Sequence, residues 1–229
     1  MISLKQTSLR MTTALLAVIM LAAPAFAASI ADGNAAYARH DYQGAIAQWQ
    51  PMAENGNPKA QNNLGALYQH GYGVKKNYAE AMKWYRLAAR RGNTDAYNNL
   101  GMMFDTGLGV AKNYGEAVAW YRMAADKGLA DAQFNLGAMY YTGAGVRRDY
   151  AIAAQWFQKA AQQGDSRAQY NMGMMSYKGV GLEKNNIQAY KWLSRASAAG
   201  DKKARLQRER LASQMTAEQI VAANRLVRK

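Results

Sequence analysis

The stretch Ala60-Gln61-Asn62-Asn63-Leu64-Gly65-Ala66-Leu67-Tyr68-Gln69-His70-Gly71-Tyr72-Gly73-Val74 decides the fold, together with Asn77-Tyr78, Ala81, Trp84-Tyr85, Ala88-Ala89 and Gly92 behind it. The same order returns as Ala96, Leu100-Gly101, Phe104, Gly107-x-Gly109-Val110, Asn113-Tyr114, Ala117, Trp120-Tyr121, Ala124-Ala125 and Gly128, each 36 positions further on. A third copy has Ala132, Leu136-Gly137, Tyr140, Gly143-x-Gly145-Val146, Asp149-Tyr150, Ala153, Trp156-Phe157, Ala160-Ala161 and Gly164. The fourth has Ala168, Met172-Gly173, Gly179-x-Gly181-Leu182, Asn185, Ala189, Trp192-Leu193, Ala196 and Gly200. Copies that never slip register predict an all-α chain, an α/α solenoid of stacked helix-turn-helix repeats.

Spacing within one copy yields two helices. Ala60, Leu64, Leu67 and Tyr68 share a face at the helical period. Gly65 sits beside Leu64, and a helical glycine costs ~1 kcal/mol, so its place in every copy implies close approach of the partner helix. Asn57 before Pro58 caps the first helix, with Asn93, Asp165 and Asp201 equivalent and Leu129 the exception. Gly71 ends it. Asn77-x-x-Glu80, Asn113-x-x-Glu116 and Asn185-x-x-Gln188 have the form of capping boxes at the start of the second helix, while Asp149 faces Ile152. Ala81, Trp84, Tyr85, Ala88 and Ala89 then make an apolar stripe, the tryptophan expected to fill the space between pairs, and Gly92 closes the helix.

The repeats therefore span 57–92, 93–128, 129–164 and 165–200. Before them, residues 28–56 read as an atypical helical pair that caps the stack: Tyr42, Ala45, Ala53 and Gly56 match later positions, but the G-x-G-V loop is missing. Behind them, residues 201–229 read as C-terminal capping helices, with Thr216-x-x-Gln219 as a further capping box and Arg205, Arg208, Arg210, Arg225, Arg228 and Lys229 as a polar outer surface.

Residues 1–27 look like a secretory signal peptide. Lys5 and Arg10 precede an apolar run from Met11 to Leu21, and Ala25-Phe26-Ala27 is a small-x-small cleavage site. The run is short against the ~20 residues of a membrane span, so the expectation is export to the periplasm or beyond, not membrane integration. The formal charge of the whole chain is +14; loss of Lys5 and Arg10 lowers it by two. Such a balance draws anionic partners, and export removes nucleic acid from consideration. No cysteine is present, so stability rests on packing and no thiol nucleophile exists.

Little in the chain suggests catalysis. His40 and His70 are the only histidines and lack metal-ligand spacing. The G-x-G-V loops lack the third glycine and preceding strand of a dinucleotide fingerprint. Neither an enzyme, a metal nor a cofactor is expected. The repeated Asn63, Asn99, Asn135 and Asn171 read as structural, bonding backbone at the junction with the preceding repeat.

These residues, in this order and at this period, resemble the Sel1-like repeat, a relative of the tetratricopeptide repeat. The resemblance covers Asp32 to Gly200 closely; Met172, Ser176, Leu182 and Ser197 are mild departures in the fourth copy. It implies a right-handed superhelix and a non-enzymatic adaptor or scaffold that binds other proteins. By analogy, the concave groove takes first-helix positions beside the Leu-Gly-Tyr face: Asn62, Ala66, Gln69 and His70; Asn98, Met102, Asp105 and Thr106; Phe134, Ala138, Tyr141 and Thr142; Tyr170, Met174, Tyr177 and Lys178. The first two rows are mainly polar, but the last two gather Phe134, Tyr141, Tyr170, Tyr177 and Met174, the composition of a partner-binding hot spot, unless Tyr141 and Tyr177 turn into the core. A protein or peptide segment is the partner this implies. The alternative is an anionic glycan or lipid surface held by Arg147, Arg148 and the C-terminal helices.

Overall fold

The computed structural model describes residues 28–227, and the segment read as a signal peptide lies outside them, as do Arg228 and Lys229. Among the described residues there are twelve helices and no strand. A leading pair, α1 (Ile30–Ala38) and α2 (Tyr42–Glu54), precedes four longer pairs. These are α3 (Pro58–His70) with α4 (Tyr78–Arg90), and α5 (Thr94–Thr106) with α6 (Tyr114–Asp126). Next come α7 (Ala130–Thr142) with α8 (Tyr150–Gln162), and α9 (Ser166–Lys178) with α10 (Asn186–Ala198). The chain closes with α11 (Lys202–Ala212) and α12 (Ala217–Val227), and α12 turns back against α10. No helix of the described residues is long and apolar enough to cross a membrane.

Local chemistry sets the helix ends as the spacing predicts. Asn57, Asn93, Asp165 and Asp201 each accept from a backbone N–H of the first turn, and Leu129 makes no such bond. Gly71 closes α3 in the left-handed region at φ 76°, with its N–H on the Leu67 carbonyl. The capping boxes of the second helices form only by half. Asn77 accepts from the Glu80 N–H at 3.1 Å, but its own N–H donates to the Tyr68 carbonyl of α3. Glu80 turns away to Lys83. The bond to Tyr68, repeated from Asn113 to Phe104, Asp149 to Tyr140 and Asn185 to Ser176, ties the two helices of each pair together. Thr216 and Gln219 form the complete reciprocal box.

The core is built where each glycine meets a ring. A Cβ on Gly65 would lie 2.6 Å from the Tyr85 ring, and one on Gly101 2.6 Å from Tyr121. Phe157 and Leu193 take the same place over Gly137 and Gly173. Tyr85, Tyr121, Phe157 and Leu193 are accordingly among the fully buried side chains. The leading pair keeps the device despite its shortened first half, Gly33 lying under Trp49. The tryptophans stand at the seams between pairs, as the spacing predicts: Trp84, Trp120 and Trp156 are half-buried there, with Lys83 and Lys159 over the rings of Trp84 and Trp156, and Trp192 is buried.

The asparagine expectation is corrected. Gln61, Gln133 and Gln169, not the asparagines, bond backbone at the seam: their side-chain amides donate to the carbonyls of Ala53, Ala125 and Ala161. The asparagines pair with each other, Asn63 donating to Asn34, Asn99 to Asn62 and Asn135 to Asn98 at 2.9 to 3.3 Å. Geometry explains the exchange, because the glutamine is almost fully buried against the preceding second helix while the asparagine reaches along the row of first helices. Gln133 also accepts from Gln163. Gln133→Leu should therefore lower stability by about 1–3 kcal/mol, the penalty for leaving buried polar groups unmatched. Urea titration followed by circular dichroism reads this as a lower midpoint.

Candidate functional site

Asparagine pairing runs along the first helices until the third repeat. The accepting position is Asn34, then Asn62, then Asn98, but its next occupants are Phe134 and Tyr170. Asn171, which by the pattern would donate to this position in the preceding repeat, meets a residue without an amide. Its side chain instead lines a cavity of about 220 Å³ between α7 and α9. Tyr141 and Ala138 come to the cavity from α7, Tyr170, Met174 and Lys178 from α9, and Phe157 of α8 forms part of its wall. Tyr141 is 40 % exposed and stands edge-on to Tyr150 at 5.2 Å. Lys178 is exposed at the end of α9.

Six of the sixteen candidate positions thus meet at one place: Ala138, Tyr141, Thr142, Tyr170, Met174 and Lys178. Phe134 lies apart from them, its ring 5.6 Å from Phe157 and beneath the Arg167 guanidinium at 4.2 Å. Arg167 is in turn held by Asp131 and Asp165. Tyr177 faces the C-terminal cap: its hydroxyl donates to Gln214 at 3.1 Å, and its ring packs on the cluster of Leu193 and Leu211. The two tyrosines of the sequence reading therefore part company, Tyr141 opening on the groove and Tyr177 bracing the cap.

The polar rows serve the fold more than the groove. Gln69 is buried and accepts the Tyr85 hydroxyl at 2.8 Å, which corrects its placement as a surface contact. Asn98 is likewise buried and accepts from Asn135, and Asn62 accepts from Asn99. Asp105 is half-buried and accepts the Tyr121 hydroxyl, while Met102 packs on the central core cluster. A hydroxyl or amide on a helix face gives no sign from sequence of which neighbour claims it.

His70 is exposed in a stack that the spacing did not reveal. Its ring lies 5.3 Å from Tyr72, which stacks on Tyr42 at 4.9 Å and 11°. The signal was Tyr72 itself, where the later copies carry Leu108, Ala144 and Val180. Among the described residues no cluster of three His, Cys, Asp or Glu could hold a metal.

The sequence profile of the Sel1 repeat matches residues 58–93, 94–129, 130–165 and 166–201. The chain belongs to the Sel1 repeat family. Its similar solved structures include a Sel1 repeat protein from Oxalobacter formigenes, 35 % identical, with a TM-score of 0.72 over 79 % of this chain and 74 % of that one. A second is c5321, a protective antigen of uropathogenic Escherichia coli with the same repeat fold, 32 % identical at a TM-score of 0.55. The match covers 82 % of this chain but only 48 % of that antigen. A Sel1 repeat protein from Klebsiella pneumoniae, 23 % identical over 79 % of this chain and 89 % of its own, shares the fold at a TM-score of 0.54. Among curated proteins nothing matches. Sel1 repeats are in general protein-interaction scaffolds and typically not catalytic, and in this Sel1 protein the cavity falls between the third and fourth repeats.

Proposed function

We propose that this chain is an exported, non-enzymatic adaptor that holds a peptide segment of a protein partner in the groove between α7 and α9. The observation that supports it most is the convergence of exposed Tyr141 with Tyr170, Met174 and the unpaired end of the asparagine row at Asn171. Aromatic side chains give large contact area at low entropic cost, methionine adapts to the shape of the partner, and Lys178 adds a cation at one end. Export follows from the reading of residues 1–27, and the periplasm or the cell exterior is the place this reading assigns.

The test is capture from an envelope extract. Tyr141→Ala combined with Met174→Ala should weaken retention of the captured partner by about tenfold or more, since both truncate contacts inside one pocket. Helical circular dichroism should stay unchanged, because Tyr141 is exposed and Met174 half-buried. Retention should also survive high salt, which screens surface charge but not buried aromatic contact. Equal retention by the variant would remove the groove from consideration.

A further inference from the structure

The loops that join the two helices of each repeat form one edge of the stack. Gly73, Gly109, Gly145 and Gly181 lie against Tyr42, Tyr78, Tyr114 and Tyr150, the residues that open the second helices of the preceding pairs. Each loop thus rests on its neighbour, and the edge is continuous from α2 to α10. Three residues beyond each of these glycines stands a cation: Lys76, Lys112, Arg148 and Lys184. Its stem packs where the first helix closes, since a Cβ on Gly71, Gly107, Gly143 or Gly179 would come 3.1 to 3.4 Å from the Cβ of that cation. The first three hold their charge over the rings of Tyr78, Tyr114 and Tyr150, and Lys184 over Tyr177, at 5.3 to 5.9 Å. Lys75 and Arg147 stand beside the first and third. All six are exposed, and none makes an ion pair among the described residues. Helices stack at ~8–10 Å, so the four equivalent cations span roughly 24–30 Å.

Counter-charges on this edge are few. Asp149 is engaged as the cap on the Ile152 N–H and Glu80 is held by Lys83, which leaves Glu116 and Glu183 exposed. The same edge carries tyrosines that the core does not take. Tyr72 and Tyr114 are 38 % and 39 % exposed, and Tyr37, edge-on to Tyr42, is 37 % exposed. A tyrosine ring is apolar along its body and polar at its tip, which suits a boundary that is wet on one side and apolar on the other. Lysine and arginine beside it reach lipid phosphates on long apolar stems. Charge alone would suit any polyanion, whereas rings held out among the cations suit the headgroup layer of a bilayer.

We infer that this loop edge docks on an anionic lipid surface, the cations on headgroup phosphates and the tyrosine rings among the headgroups. The attachment is peripheral, through loops and not through a spanning helix. Neither Tyr141 nor Met174 takes part, so the docking does not depend on what the groove between α7 and α9 holds. Tyr150 nevertheless joins the two surfaces, with Arg148 over its ring and Tyr141 edge-on to it, and a peptide in that groove would lie close to the membrane.

Flotation of residues 28–229 with lipid vesicles tests this. That span carries every described helix and omits the apolar run from Met11 to Leu21, which would insert by itself. Binding is expected to vesicles of equal parts phosphatidylglycerol and phosphatidylcholine, and not to phosphatidylcholine alone. Near an anionic surface each Lys or Arg changes partitioning about fivefold, so Lys76→Gln with Lys112→Gln and Arg148→Gln should weaken binding about a hundredfold. Lys202→Gln with Lys203→Gln and Arg205→Gln removes the same charge from exposed positions of α11 and should weaken it only a few-fold. Equal losses in the two triple variants would show a response to net charge and overturn the inference, as would no binding to the anionic vesicles. Tyr72→Ser with Tyr114→Ser should weaken vesicle binding about tenfold and leave affinity for dextran sulfate, a soluble polyanion, unchanged. Unaltered vesicle binding in this pair, or an equal loss on dextran sulfate, would overturn the bilayer in favour of a site for charge alone. The exposed cations carry the test if the tyrosine pair lowers helicity.

Discussion

Gly145→Ala is expected to cost about 2–5 kcal/mol. Two independent penalties meet at this residue. Its φ of 71° lies in the left-handed region, where a Cβ costs ~1–2 kcal/mol. The added carbon would also stand 2.4 Å from the Tyr114 carbonyl carbon and oxygen, at the start of α6 in the preceding repeat. Backbone in the first turn of a packed helix has no rotamer by which to retreat, so overpacking adds ~1–3 kcal/mol. The damage falls on the seam between the second and third repeats, and stability in a solenoid is carried by such seams. Denaturant unfolding should therefore lose its single transition, the C-terminal half melting first. Gly128→Ala is the control: φ is 91°, but nothing stands within 4 Å of a Cβ there, so only the conformational penalty should appear. Equal effects from the two would show that the loop does not set the stacking.

Stability should also fall steeply above pH 10. Tyr85 and Tyr121 both have hydroxyl pKa values raised well above 10.0, for Tyr85 chiefly by burial and for Tyr121 by burial and then by the Asp105 carboxylate that accepts its hydrogen bond. A group whose folded pKa exceeds its unfolded value stabilises the fold fully below the unfolded value. That contribution is lost as pH rises past 10, where the unfolded chain releases protons that the folded chain retains. Each tyrosine contributes a slope of about 1.4 kcal/mol per pH unit, and the two together about 2.7. Thermal midpoints measured from pH 9 to 11.5 should drop accordingly. Tyr85→Phe with Tyr121→Phe should flatten the drop, even though the pair starts from lower stability because Gln69 and Asp105 lose a partner. An unflattened drop would place the sensitivity elsewhere.

The period of 36 carried most of the fold, because each position in it answers one physical need. Asn57 and Asp165 cap, Gly71 and Gly107 close, and Ala81 and Ala117 allow approach. What spacing could not convey was which of two adjacent residues turns inward. Trp84 and Tyr85 are both large and aromatic, and only the glycine of the partner helix decides that Tyr85 takes the centre. Likewise Gln61 and Asn63 are both amides on α3, yet one reaches back to the Ala53 carbonyl and the other sideways to Asn34. The groove was legible as a change in composition between repeats. Its membership was not, since Tyr141 and Tyr177 occupy equivalent places and differ only because the cap offers Gln214 to the second.

The asparagine row has a bearing on how such a chain can grow. In the second repeat Asn99 reaches back to Asn62 while Asn98 receives from Asn135, so this unit presents a donor to its predecessor and an acceptor to its successor. A tandem copy of it would find each amide matched on both sides. The third repeat has Asn135 but Phe134 beside it, so a duplicate would set a donor against a ring. Duplicating the second unit would extend the amide row, whereas duplicating the third would only repeat the junction at which Asn171 already stands against Phe134, so the row has a direction even though the backbones are alike.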